Sequence, residues 1–565
     1  MIPLAQIYFN FLQEIVWQAA KYDHDNQGGD GLVTTKAHLI IGLDIGNTAL
    51  KAVAFTNSGQ VIASASRSTL IIKRQQLSIG NVHLNSLLDP SLLKNVVEDL
   101  LADLNDKILK IGTYEILGLA VTGMGGPMVA LDEKNAPVYP LIGLWSIDIH
   151  ETILDGKDEA CYQVTGDHLH NSPFTTVVWL AQHDPARFAH VRHILPVVSY
   201  VTYHLTGVAI SDFSTASGTG IWDQSLGQWA KALIEITPVN PRWFPPVAPA
   251  GSLIGTISSS VQKATGLPSA TLVAVGGHDY LCAAGALGIT KPGDVLNMLG
   301  TYEIFATPHL SPSVVKPTEL DLIDDTHVYP GIRCLMFQVI GGGHLEWLRH
   351  MFTAGLSEPA SFEQWNLILE RAASLTEEDM GDLVFAPFLF GRFFPERCIH
   401  PHGALLGLSE GHGPEHITRA MVDALSYVSM EALKTLTTVV NGNSATRIVI
   451  TGGGIRNHLW VQRKADFLQM PLNVPNVIDS SALGAAILAG LATGVYANWN
   501  EAAASLDIKW TKIIPQFPVS DRYLKQFIHW DDLSPNACAH TVSLSRRITQ
   551  EIIGRSTNIR SPETL

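Results

Sequence analysis

The sequence predicts an α/β protein with two similar halves facing each other across a cleft. Short apolar runs of strand length alternate with longer stretches of helix period along the chain. Two of those runs, one opening each half, end in a glycine-containing turn with a hydroxyl residue: residues 38–44 enter Gly46-Asn47-Thr48, and residues 294–299 enter Gly300-Thr301. The 565 residues are 46 % hydrophobic and only 16 % charged. That is enough for two or three domains with a large core, and it argues against disorder.

Residues 1–36 read as an extension: a short helix over 7–22, then a polar, Gly-rich link over 23–31. This stretch has no basic segment ahead of an apolar one, so it makes a poor signal peptide. A first domain is expected over 37–284. It opens with a strand at 38–44, a second strand at 51–55 and a hairpin turn at Asn57-Ser58-Gly59. A helix with an apolar face follows over 92–109, and a buried strand over 116–121 ends in Thr122-Gly123-Met124-Gly125-Gly126. The strand at 271–275 runs into Gly276-Gly277-His278-Asp279-Tyr280 and a helix of small residues over 281–286. A second domain is expected over 285–505, with strands at 294–299 and 447–450 and an Ala/Gly/Leu helix over 482–491. Residues 506–565 read as an extension that ends in a loose tail.

The formal net charge of −15 repels nucleic acid and anionic membranes, so neither is an expected partner. A local phosphate site stays open, because backbone N–H groups and a metal ion hold anions inside acidic proteins. Cys161, Cys282, Cys334, Cys398 and Cys538 are odd in number and form no C-x-x-C pair. That fits free thiols in a reducing cytoplasm, where the protein is expected. No uninterrupted apolar run reaches the roughly 18 residues of a membrane span.

Asp279 carries the most chemistry. A carboxylate at a glycine-rich strand-to-helix turn sits at an edge where ligands approach, and it suits the base of a phosphoryl transfer. The plain structural alternative is a helix cap. The two differ in consequence: Asn substitutes cheaply for a cap and not for a base. In the first turn, Gly46 lets backbone approach a phosphate, Thr48 donates, and Asp44 can hold Mg²⁺ through water. In isolation an ordinary hairpin is the better explanation of that turn. Gly452-Gly453-Gly454, with Asn457 beyond, removes side chains where a flat adenine and its ribose must lie; a turn needs one glycine, not three. Trp145 and Asp148 offer a sugar an aromatic wall and a carboxylate, though an amphipathic strand with a core Trp fits as well. His278 touches substrate or orients Asp279.

Taken together these residues resemble the FGGY carbohydrate kinases of the actin, hexokinase and Hsp70 superfamily, over about residues 37–500. The similarity rests on Gly42-Leu43-Asp44-Ile45-Gly46-Asn47-Thr48 through Lys51-Ala52, Ser211-Asp212-Phe213-Ser214-Thr215-Ala216-Ser217-Gly218-Thr219, and Gly276-Gly277-His278-Asp279. It continues through Gly300-Thr301, Gly341-Gly342-Gly343 to Glu346-Trp347, and Gly452-Gly453-Gly454 to Ala482-Leu483-Gly484-Ala485-Ala486, in family order. The resemblance implies two actin-like ATPase (ribonuclease H-like) domains flanking a central cleft. It implies ATP and Mg²⁺ as cofactors, with Asp44, Gly46, Asn47, Thr48, Lys51, Gly300, Thr301, Gly452, Gly453, Gly454 and Asn457 on the nucleotide and metal side. It puts Asp279 as general base, and Gly125, Gly126, Trp145, Asp148, His278 and Glu303 beside the sugar. The implied activity is ATP-dependent phosphorylation of a small sugar, ketose or polyol, xylulokinase-like, and a homodimer is compatible with it. A non-catalytic sugar or nucleotide sensor on the same scaffold is the alternative. The departures fall on the sugar side: Gly125-Gly126-Pro127 stands where xylulokinases carry Met-His-Gly, and Tyr302-Glu303 follows Gly300-Thr301 in place of a small residue.

Overall fold

The computed structural model describes residues 37–141, 154, 156–169, 172–310, 320–391, 403–441 and 445–528. The first sheet begins with an antiparallel meander of β1 (Ala37–Ile45), β2 (Ala49–Phe55) and β3 (Val61–Ser68). Helix α1 (Pro90–Ile111) follows; Asp89 caps it by accepting from the Ser91 and Leu92 N–H groups, and Pro90 sits where no N–H is needed. Then come β4 (Tyr114–Gly123), the short α2 (Phe213–Ser217), β5 (Leu253–Thr256), β6 (Leu272–His278) and α3 (Asp279–Ala286). The strand order is β5-β6-β4-β1-β2-β3. The middle of β1 is buried without alternation, the mark of a strand covered on both faces.

The second sheet holds β7 (Asp294–Leu299), β8 (Tyr302–His309), β9 (Ile323–Thr326) and β10 (Arg333–Ile340). After α4 (Gly342–Phe352) and α5 (Pro414–Asn441) come β11 (Arg447–Thr451), α6 (His458–Leu468), β12 (Leu472–Pro475), α7 (Ser480–Thr493) and β13 (Trp510–Ile513). The order is β9-β10-β8-β7-β11-β12-β13. The plan of the first sheet recurs: an antiparallel meander (β7, β8, β10), then strands added beyond its first strand, closed by an antiparallel edge strand. Among the described residues strand β9 has no counterpart in the first sheet.

The lobes meet through helices of small residues. A Cβ on Gly484 of α7 would lie 2.1 Å from the Cys282 carbonyl oxygen of α3, and one on Gly42 of β1 would lie 1.8 Å from that of Ala482. Only glycine permits these approaches. Helix α7 is buried almost all round, as its uniformly apolar sequence requires.

The second lobe runs past residue 505, where the sequence reading ended it. β13 pairs with β12, and helix α8 (Asp521–Ile528) inserts Tyr523 and Phe527 into the lobe's core at 2 % and 0 % exposure. The expected boundary at 284 falls inside α3. The extension at 1–36, Trp145, Asp148, Cys398, Cys538 and the tail beyond 528 lie outside the described residues. Cys161, Cys282 and Cys334 are buried and free. Among the described residues no helix is long and apolar enough to cross a membrane.

Candidate active site

Asp279 is the first residue of α3, directly behind the C-terminal end of β6. Its side chain keeps 25 % exposure between two buried neighbours, His278 and Tyr280. Asp279 Oδ1 accepts from the Tyr280 N–H at 2.6 Å, so the carboxylate helps cap its own helix. His278 Nδ1 lies 3.2 Å from Asp279 Oδ1, an ion-pair distance without the alignment of a hydrogen bond. Burial disfavours the His278 imidazolium, but Asp279, with Asp325 and Asp212 beyond, outweighs burial and raises its pKa. A Cβ on Gly125 would lie 1.6 Å from His278 Nε2, so that glycine is the price of seating the imidazole. Gly126 has φ +109°, and a Cβ there would lie 3.1 Å from Pro173 Cγ.

The turn that carries Asp279 is braced from behind. The Thr122 hydroxyl donates to the Gly277 carbonyl at 2.8 Å. The His278 N–H donates to Ser214 Oγ at 2.9 Å, and the Ser214 hydroxyl donates in turn to Asp212, the N-cap of α2. The Ser211-to-Thr219 segment therefore serves as a scaffold for Asp279.

Asp44 lies at the end of β1, paired in register with Lys51 of β2. Lys51 Nζ meets Asp479 Oδ1 at 2.6 Å, a link from the first sheet to the residue ahead of α7. Burial, then the charge of Asp279, push the Asp44 carboxyl up to about 8; Lys51 opposes the rise and Asp479 adds to it. Asp44 Oδ1 and Asn47 Oδ1 are both buried acceptors without a hydrogen-bond partner. Two orphaned acceptors among three carboxylates and a single lysine call for a cation or its water shell, and a bound cation inverts the logic that raises Asp44. Among the described residues no three His, Cys, Asp or Glu side chains form a ligand set of their own. The orphaned acceptors fit Mg²⁺, which dehydrates reluctantly and takes most of its ligands from water and phosphate. Gly46 serves the turn itself, since a Cβ there would lie 2.6 Å from the Ala49 carbonyl oxygen, and Thr69 ties the loop by donating to the Gly46 carbonyl at 2.9 Å. Thr48 is exposed beside it.

In the second lobe, Gly300 and Thr301 form the exposed turn between β7 and β8. Their carbonyls accept from the N–H groups of Gly341, Gly342 and Gly343 at 3.0–3.1 Å, which fixes the turn to the start of α4. Gly452, at φ +91°, and Gly454 pack on Leu299, where any Cβ would lie 2.4 or 2.6 Å from its atoms. Gly453 is exposed, with open space where its Cβ would stand. On the expectation that a flat nucleotide lies against this backbone, Gly453→Val should fold normally and weaken ATP binding by about tenfold or more, with acceptor affinity largely kept. Calorimetry with ATP and with the sugar checks it, and unchanged ATP affinity would remove the triple glycine from the nucleotide site. Asn457 caps α6 by accepting from the Trp460 N–H at 3.1 Å.

Glu303 needs correction. It is fully buried inside the second lobe, ion-paired with the equally buried Lys464, and accepts from Asn297 Nδ2 at 2.8 Å and Ser429 Oγ at 3.1 Å. It faces the core and not a sugar. Asp479 was missed by the sequence reading, although, like Asp279, it is a carboxylate at the start of a small-residue helix. The Thr451 and Ser480 hydroxyls, 3.1 Å apart, join the strand before the triple glycine to that same helix start. The start of α7 thus touches Lys51 and the strand that leads into the triple glycine.

Residues 39–288 match the N-terminal domain of the FGGY family of carbohydrate kinases, and residues 309–493 match its C-terminal domain. Among relatives, a xylulose kinase of Staphylococcus epidermidis is 26 % identical over 465 residues, covering 81 % of this chain and 88 % of its own. An autoinducer-2 kinase of Escherichia coli is 27 % identical over 372 residues, 65 % of this chain and 68 % of its own. The crystal structure of a xylulose kinase from Rhodospirillum rubrum superposes with a TM-score of 0.73 at 26 % identity, covering 88 % of this chain and 99 % of that one.

Proposed function

The chain belongs to the FGGY family of carbohydrate kinases, with the family's two-domain actin-like ATPase fold, and on that premise we propose that it transfers the γ-phosphoryl group of ATP to a hydroxyl of a small ketose or polyol, with Asp279 as the general base. The observation that carries this reading is the partly exposed Asp279 carboxylate, held at a strand-to-helix turn within the electrostatic reach of Asp44. The acceptor hydroxyl gives its proton to Asp279 as its oxygen attacks the γ-phosphorus, and ADP leaves from the opposite side. Mg²⁺, held through water by Asp44 with Asn47 beside it, would neutralise charge on the phosphates. Gly46, Thr48, Lys51, Gly300 and Thr301 line the phosphates, and Gly452, Gly453, Gly454 and Asn457 the adenosine. Phosphoryl transfer is mostly positioning and electrostatics, so these groups matter as much as the base.

His278, seated over Gly125, borders the acceptor. The relatives are named for xylulose and for autoinducer-2, and the departures at Gly125-Gly126-Pro127 fall on the acceptor side, so the acceptor is sought among small ketoses and polyols. An ATP-coupled assay over pentuloses, hexuloses, pentitols, tetritols and aldonates tests the reading. ADP release with a narrow group of acceptors is expected. ADP release indifferent to every acceptor, or none at all, would overturn it.

A further inference from the structure

We propose that Asp325, on the edge strand β9 of the second sheet, is a positioning residue for Asp279, acting through the hydroxyl of Tyr280. The inference rests on the reading of Asp279 as the base. Tyr280 follows Asp279 in the first turn of α3 and is fully buried, so its hydroxyl needs a partner. That partner is Asp325 Oδ2, at 2.8 Å. The Tyr280 ring also stands edge-on to the His278 imidazole, with centroids 4.8 Å apart at 80°. Moving the phenol therefore moves both groups beside the proton to be abstracted.

The other oxygen of the same carboxylate reaches the far side of the turn. Asp325 Oδ1 accepts from Ser217 Oγ at 2.7 Å. Ser217 belongs to α2, whose Ser214 receives the His278 N–H. One carboxylate thus ties the residue after Asp279 directly and the residue before it through α2. Val328, just past β9, fills the space where a Cβ on Gly277 would stand, at 2.5 Å.

Strand β9 is the member of the second sheet that the duplicated plan does not require, yet it is bound to the first lobe. The Asp324 N–H donates to the Gly166 carbonyl at 2.8 Å, Gln224 Nε2 donates to the Asp324 carbonyl at 2.9 Å, and the Thr326 hydroxyl donates to Gln224 Oε1 at 2.8 Å. Stability alone gives no reason for Asp325. It is 2 % exposed, its hydrogen-bond donors are neutral hydroxyls, and its charged surroundings are His278 on one side and Asp324 and Asp167 on the other. Burying a carboxylate in that company is costly, and an apolar residue would pack the strand more cheaply. Holding a phenol at a fixed angle does explain the residue.

The test is steady-state kinetics on the full chain for Asp279→Asn, Tyr280→Phe, Asp325→Asn and the Tyr280→Phe/Asp325→Asn double variant, using ATP and the best acceptor from the coupled screen. Tyr280→Phe and Asp325→Asn should each lower kcat by about 10–100-fold, the scale of a small misplacement of a catalytic group. Both KM values should stay within about twofold, and the double variant should lose no more than the worse single one, because both act on one unit. A staple with no role in positioning gives a different pattern: kcat retained in both variants, losses that multiply, or a raised KM at constant kcat. Any of these overturns the proposal. Should Asp325→Asn fail to fold, Tyr280→Phe, which removes one hydroxyl, decides alone. Turnover retained in Asp279→Asn would instead refute the base itself, so the two failures are distinguishable.

Discussion

Asp279→Asn is expected to fold, bind ATP, and lose about 10²–10⁴-fold in kcat, the usual worth of a positioned general base. The argument rests on what Asn keeps. Its Oδ1 still accepts the Tyr280 N–H that Asp279 accepts at 2.6 Å, so the start of α3 keeps its cap. The shape beside His278 is unchanged, and so is the turn held by Thr122 and Ser214. What disappears is the capacity to take a proton. If Asp279 only capped the helix, Asn, an equally good cap, would leave turnover near normal. Measuring kcat by coupled ADP release, with ATP affinity by calorimetry, separates the two: a collapsed kcat with intact ATP binding supports the base.

Lys464→Met is expected to destabilise the protein by about 3–5 kcal/mol, the cost of stranding one partner of a buried ion pair. Lys464 and Glu303 are both fully buried, and Lys464 also donates to Ser429. Burial lowers the Lys464 pKa, and Glu303 opposes that shift by favouring the ammonium. Without the ammonium, Glu303 becomes an uncompensated carboxylate in the core. The double variant Lys464→Met/Glu303→Gln should recover most of the loss, because a neutral amide still accepts from Asn297 and Ser429. Guanidinium unfolding midpoints of the wild type and both variants check this. A single variant within about 1 kcal/mol of wild type, or a double no better than the single, would contradict the account of the pair. The pair sits under the turn of Gly300 and Thr301: the Gly341 N–H donates to the Thr301 carbonyl, and a Cβ on Gly341 would press on Glu303 Cβ and on the Trp460 ring, each at 3.0 Å.

Signals local in sequence survived into the structure. The apolar run ending at Leu299 is β7 to the residue, the Ala/Gly/Leu stretch is α7, and Asp279 stands at a strand-to-helix turn. Each was legible because the pattern that forms the element lies within the element. What escaped was set by partners far along the chain. Glu303 seemed placed for a sugar by its position after Gly300-Thr301, but its ion-pair partner lies 161 positions on. Asp325 and Asp479 meet Tyr280 and Lys51 across 45 and 428 positions, with no local trace of either contact. The chain past 505 was read as an extension, and the two aromatic side chains of α8 that enter the core went unseen, because eight residues carry too short a pattern to separate a docked helix from a tail.

The most direct test is a crystal structure of the full chain with Mg²⁺, a non-hydrolysable ATP analogue and the acceptor identified by the screen. The account predicts the acceptor oxygen about 2.6–3.2 Å from an Asp279 carboxylate oxygen, with the terminal phosphate next in line beyond it. A closed complex in which that phosphate lies far from Asp279, with another side chain contacting the reacting hydroxyl, would contradict it.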